Sequence, residues 1–146
     1  MPIPPAGASV RCRSACPCST EAAAAPRPGG HYPHAQRVGD LLFLSGIGPR
    51  DAATNAIPDG IEAQTRAVFA NVRAVLEASG ACWESLVDVT VYLTDMAGDF
   101  PGYNRVWADH FPDPAVAPCR TTLGITALPT PISIELKCVA HVPERR

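Results

Sequence analysis

Two stretches of this chain alternate apolar and polar residues with a period of two, which commits them to a sheet with one covered face. In Leu86-Val-Asp-Val-Thr-Val-Tyr-Leu93 the residues Val87, Val89, Val91 and Leu93 point one way, and Asp88, Thr90 and Tyr92 the other. Near the carboxyl end Ile132, Ile134, Leu136, Cys138 and Ala140 share a face opposite Ser133, Glu135 and Lys137. A covered face needs a covering layer, and two helical patterns supply it. Ile61, Val68, Val72, Val75 and Leu76 recur at helical spacing between Asp59, read as an N-cap with Glu62 completing a capping-box-like pair, and Gly80, a C-terminal stop. Gln64, Arg66 and Arg73 fall off that stripe and read as solvated. A second helix is expected from about Asp99, with Pro101 in its first turn, Phe100, Tyr103, Trp107 and Phe111 as its stripe, and Pro112-Asp-Pro114 as its stop.

Leu41-Leu-Phe-Leu-Ser45, after a turn at Gly39-Asp40, reads as a short strand buried on both faces. Arg120-Thr-Thr-Leu-Gly-Ile125 and Ile132-Ser-Ile-Glu-Leu-Lys137 read as two strands joined through the turn-rich Thr126–Pro131, hence as an antiparallel hairpin. That pairing would bring Arg120 close to Glu135 at one end of the sheet. The element order gives an α+β domain, one sheet with two helices packed on a single face. Its uncovered face, carrying aromatic and β-branched residues, invites a second subunit.

The chain has 146 residues, enough for one domain. A net charge of −2 and a pI near 6.0 argue against a nucleic-acid footprint. No apolar run reaches membrane-spanning length, and the chain reads as soluble. Six cysteines form no disulfide framework and no signal-peptide core precedes them, which favours a reducing cytoplasm. Residues 1–28 hold six of the 16 prolines and three of the six cysteines without apolar periodicity, and read as a disordered Pro/Ala/Cys-rich tail before a domain spanning 29–146. In that tail Arg11, Arg13 and Arg27 against Glu21 give +2, leaving −4 on the remainder. Cys12, Cys16 and Cys18 lack a fourth metal ligand nearby, and no metal site is expected.

Taken in order, several blocks resemble the RidA family, also called YjgF or L-PSP: His31-Tyr-Pro-His-Ala35, Leu42-Phe-Leu-Ser-Gly46, Gly60-Ile-Glu-Ala-Gln-Thr-Arg66, Asn71-Val-Arg-Ala-Val-Leu76, Val91-Tyr-Leu-Thr-Asp-Met96, Tyr103-Asn104, Pro118-Cys-Arg-Thr121 and Ile134-Glu-Leu-Lys137. The resemblance covers residues 29–146. It implies a chorismate-mutase-like subunit, a homotrimer with active sites between subunits, no cofactor, and hydrolysis of 2-imino and 2-enamino acids such as 2-aminoacrylate to 2-oxo acids and ammonia. By the same resemblance Arg120 clamps the substrate carboxylate and Glu135 positions or activates water. Tyr32, Ser45 and Asn104 would line the site, with Thr122 and His34 as further contacts. The chemistry agrees with those residue types, since arginine binds a carboxylate through a planar fork and a partly buried carboxyl can carry protons.

The chain departs from the usual family block, approximately Gly-Pro-Tyr-Ser-Gln-Ala, which here is Gly30-His-Tyr-Pro-His-Ala35; Thr122 replaces a common cysteine. These changes resemble the 2-aminomuconate deaminase branch, in which His34 or Arg50 would meet the distal acid of a dicarboxylic enamine. Two other function classes stand beside deamination: a non-catalytic, carboxylate-binding regulatory trimer, and a ribonuclease, which the acidic charge disfavours.

Overall fold

The computed structural model describes residues 19–143. The cysteine cluster at positions 12–18 lies outside that range. Six strands form one mixed sheet: β1 (Ser19–Thr20), β2 (Ala35–Val38), β3 (Leu41–Leu44), β4 (Leu86–Leu93), β5 (Cys119–Gly124) and β6 (Ile134–His141), in the order β1-β2-β3-β6-β4-β5. Helices α1 (Ile61–Ala78) and α2 (Met96–His110) are the layer over it. The architecture is the α+β sandwich expected.

The two alternating segments behave as their period requires. Along β6 the residues Ile134, Leu136, Cys138 and Ala140 are fully covered, and β4 buries Val89, Val91 and Leu93 against the same layer. Val87 departs from the pattern because the β4–β6 register shifts between Leu86 and Asp88. That bulge turns Val87 outward. The β2–β3 hairpin closes through Gly39-Asp40, where Gly39 takes the left-handed φ of 58° that a two-residue turn needs.

The expected terminal hairpin does not form. β5 pairs with β4 in parallel, and β6 lies antiparallel between β3 and β4. Helix α2 carries the chain back along β4, so the strand that follows it must run parallel on the outer edge of β4. β6, apolar along one whole face, is better satisfied at the centre with a neighbour on each side. Thr126–Pro131 is therefore a crossover from the sheet's edge to its middle.

Four smaller expectations are also corrected. β3 is covered on one face only: Leu42 and Leu44 are buried, while Leu41 and Phe43 face outward from a sheet that has helices on one side. Gly60, with φ 82°, occupies the N-cap of α1, and Asp59 makes no cap; Glu62 instead receives Arg105 of α2 at 2.6 Å and Arg66 at 3.6 Å. Helix α2 starts a turn early because the Asp95 side chain accepts from the Gly98 amide at 3.0 Å, which places Pro101 in the second turn. Gln64 is buried, its Oε1 accepting from the Ser133 amide at 2.8 Å.

The folded body also begins earlier than position 29. Ser19 and Thr20 pair with β2, and Ala22 and Ala25 are buried in the core. Alanine carries little apolar area, so the segment shows no periodicity; hydrogen bonds with His34 and with Ser79 help hold it. The C-terminal stop of α1 is as expected, with Gly80 at φ 77° and the Ala81 amide bonded back to Leu76 O at 2.8 Å.

Candidate active site

The functional candidates fall into two groups on opposite faces of the sheet. The first surrounds a cavity of about 120 Å³ walled by Pro26–Gly29, Tyr32, His34, Ser45–Gly48, Arg50, Pro129, Thr130, Ile132 and Glu135. Glu135 sits on β6 opposite Tyr92 of β4, on the face away from the helices. Its carboxyl is half-buried, and that burial pushes its pKa above the ordinary value. The ion pairs among the described residues are those of Glu62, so no cation neutralises Glu135. Gly46 lets the carboxylate lie against the backbone: a Cβ there would stand 3.0 Å from both Cδ and Oε2 of Glu135.

The other side chains at this cavity are anchored by their own loops. Ser45 Oγ donates to Pro33 O at 2.6 Å. Tyr32, 48% exposed, accepts the Gly29 amide on its hydroxyl at 3.2 Å. His34 is buried and uses both ring nitrogens on the chain itself: Nδ1 accepts from the Ala22 amide at 3.0 Å, and Nε2 lies 2.8 Å from Pro26 O. Arg50 Nη1 reaches Asn55 Oδ1 at 3.3 Å. Arg27, Arg50 and Glu135 are the residues of formal charge that line the cavity.

The second group is built on β5 and α2. Arg120 is paired with Val89, and its side chain turns to the helix side, where Nη1 donates to Asn104 Oδ1 at 2.8 Å. Its guanidinium carbon lies 5.0 Å from the Trp107 ring centre, 5.2 Å from that of Tyr103 and 6.0 Å from that of Phe100. Cation–π attraction and one hydrogen bond fix the fork while leaving further N–H donors for a ligand. Thr122, two residues along, shares a 2.7 Å hydrogen bond with the Tyr103 hydroxyl. Burial raises the pKa of that phenol, and Thr122 and Arg120 act against the rise.

Arg120 and Glu135 are therefore not neighbours, contrary to the hairpin expectation. Two strand spacings and three residues of rise separate them by roughly 14 Å along the sheet, and they point to opposite faces. Tyr32, Ser45, His34 and Glu135 come together; Arg120, Asn104 and Thr122 come together; the two sets do not meet within one chain.

Sequence reasoning missed the residues that shape the cavity from behind. Asn71 of α1, also buried, donates to Gly48 O at 2.9 Å and Arg50 O at 2.8 Å, fixing the loop after β3. Gln64 holds the turn before β6 in the same way. A polar residue one step off an apolar helical stripe is the sequence signal for both, and it also fits a solvated position. Arg27, within the stretch whose composition reads as a tail, also lines the cavity. Among the described residues no cluster of histidine, cysteine or carboxylate side chains has a metal-binding arrangement, and no helix is long and apolar enough to cross a membrane.

The same body has counterparts among known proteins. The family model of endoribonuclease L-PSP matches residues 22–142. A RutC family protein of Pyrococcus horikoshii is 39% identical over 118 residues, covering 80% of this chain and 91% of that protein. The 2-iminobutanoate/2-iminopropanoate deaminase of Dermatophagoides farinae is 34% identical over 119 residues, covering 81% and 91%. Among solved structures, RidA of an Antarctic Psychrobacter superposes with a TM-score of 0.79 at 30% identity, covering 85% of this chain and 98% of that one. With sequence and fold in agreement over nearly the whole described body, this chain belongs to the endoribonuclease L-PSP family, the group also known as RidA or YjgF.

Proposed function

We propose that the chain is a hydrolytic deaminase of 2-imino and 2-enamino acids, acting as a homotrimer in which Arg120 of one subunit completes the Glu135 cavity of the next. The observation that carries this reading is Glu135: a half-buried carboxyl with a raised pKa and no cation beside it, set against bare backbone at Gly46. Burial that disfavours the charged form makes such a group a readier proton carrier than an exposed carboxylate. The imino-acid deaminase name of the Dermatophagoides relative supports the substrate class.

The imine carbon is already electrophilic, so the protein must orient it and move protons. Arg120 would fix the carboxylate through its free donors. Ionised Glu135 takes a proton from water as the oxygen bonds to C2 of the protonated imine, giving a neutral tetrahedral amino alcohol. The same carboxyl returns that proton to nitrogen; as the C–N bond breaks and ammonia leaves, the hydroxyl proton passes to the freed Glu135 carboxylate and C2 becomes a ketone. An enamine first accepts a proton at C3 from neutral Glu135 to become the protonated imine.

A narrower reading, deamination of a dicarboxylic enamine such as 2-aminomuconate, is favoured by Arg27 and Arg50, which line the same cavity. Either arginine would offer a second carboxylate a charged partner, and His34 has both ring nitrogens engaged elsewhere.

The test is ammonia release from 2-aminoacrylate and from 2-aminomuconate, each generated in situ, with wild type, Arg120→Ala and Glu135→Gln. Acceleration lost in both variants supports the deaminase, and the better substrate selects the branch. A trimer that accelerates neither reaction, yet binds 2-oxo acids through Arg120, would be a carboxylate-binding regulator instead.

A further inference from the structure

Residues 19–29 form a strap whose ends are tied by Ser79 to Thr20 and by the Tyr32 hydroxyl to the Gly29 amide, and whose middle is held by His34. Its buried residues are only Ala22 and Ala25, and its β-pairing is two residues long. Neither gives much hold. The strap nevertheless supplies part of the wall of the cavity that Glu135 also lines, through Pro26 to Gly29.

His34 bridges the strap at two points. Its Nδ1 accepts from the Ala22 amide at 3.0 Å, so Nε2 holds the ring proton and donates to Pro26 O at 2.8 Å. The ring is buried, with 6% of its surface exposed, and the His34 amide also donates to Thr20 O at 3.0 Å. A neutral imidazole offers one donor and one acceptor about 2 Å apart on a rigid frame, and both are matched here. Ala22 and Pro26 bracket a turn that would otherwise be free to swing.

We infer that His34 is a positioning residue: it latches the 19–29 strap as a fixed cavity wall and so sets substrate affinity, without touching substrate. Building on the deaminase reading, the role predicts a separation between binding and chemistry. Glutamine can replace the latch, since its amide also offers one acceptor and one donor. Alanine offers neither.

The test joins residue-resolved hydrogen exchange with steady-state kinetics on the full chain. In wild type the Ala22 amide should exchange at least about tenfold more slowly than the exposed Ala23 amide. His34→Ala should abolish that protection and raise KM about tenfold with kcat held within about twofold, and His34→Gln should restore both. Equal exchange of Ala22 and Ala23 in wild type overturns the latch without any variant. So does a His34→Gln variant that stays folded and fails to recover KM, which would point to direct contact between the imidazole and substrate. If wild type turns over neither imino nor enamino acid, the deaminase reading fails alone; the exchange data and titration with 2-oxobutanoate across the same variants then decide the latch. Weakened 2-oxobutanoate binding in His34→Ala, recovered in His34→Gln, would sustain it, and unchanged binding would overturn it.

Discussion

Arg120→Ala and Glu135→Gln chains, each inactive alone, should regain activity when mixed. The two residues sit on strands separated by β4, roughly 14 Å apart along the sheet and on opposite faces. No small 2-imino acid spans that distance through a packed sheet, so a site using both must draw them from different chains. Each variant alone should retain less than about 1% of kcat/KM, the usual result of removing a charged clamp or a proton carrier. In a closed ring a site is intact when its arginine comes from a Glu135→Gln chain and its glutamate from an Arg120→Ala chain. A three-membered ring that contains both variants has one such intact site of its three, so about a third of wild-type activity should return in the isolated mixed species. The two variants, differently tagged, are refolded together, the mixed species are isolated on both tags, and ammonia release is measured. Mixed oligomers no more active than their parents would refute the shared site and with it a common reaction centre for the two residues.

Gly46→Ala places a methyl group 3.0 Å from the Glu135 carboxylate, so kcat/KM should fall about tenfold or more while the Tm changes by only a few degrees; an unchanged rate would remove Glu135 from the reaction centre. Because burial raises the Glu135 pKa, the folded chain binds that proton more readily than the unfolded chain, and its favourable contribution, full at low pH, is lost as pH rises through the folded-state value. Glu135→Gln, permanently neutral, should therefore melt above wild type at about pH 7 and lose that advantage toward about pH 4, followed by calorimetry; an equal gap at both pH values would contradict the argument. Burial pushes the Cys138 thiol up to about 12, so iodoacetamide at about pH 8 should modify Cys82 and spare Cys138 in the native chain, read by peptide mass mapping.

The sequence was legible where burial imposes a period. β4 begins and ends where the alternation of Leu86–Leu93 does, and the covered face of β6 follows from Ile134 to Ala140. What periodicity cannot carry is the identity of a strand's neighbour. Arg120–Gly124 has the same local character whether it turns back on β6 or runs beside β4, and the return path of α2 decides between them. The site suffered from the same ambiguity: residue types suited to carboxylate binding and proton transfer were visible at Arg120 and Glu135, while their placement on opposite faces was not. Hydrogen bonds to backbone were invisible for a different reason. Asn71, Gln64 and His34 act on carbonyls and amides, which every residue has and no sequence marks.

Contacts made to backbone alone leave such a pocket free to diversify. Asn71 grips the carbonyls of positions 48 and 50, and Gln64 grips the amide of position 133, so neither contact depends on the side chain carried there. The frame of the cavity is thereby uncoupled from its lining. Arg50, or a residue beside Ser133, can be exchanged for another shape or charge while the loop it stands on stays where helix α1 holds it. One scaffold can in this way try many chemical surfaces without having to be refolded for each.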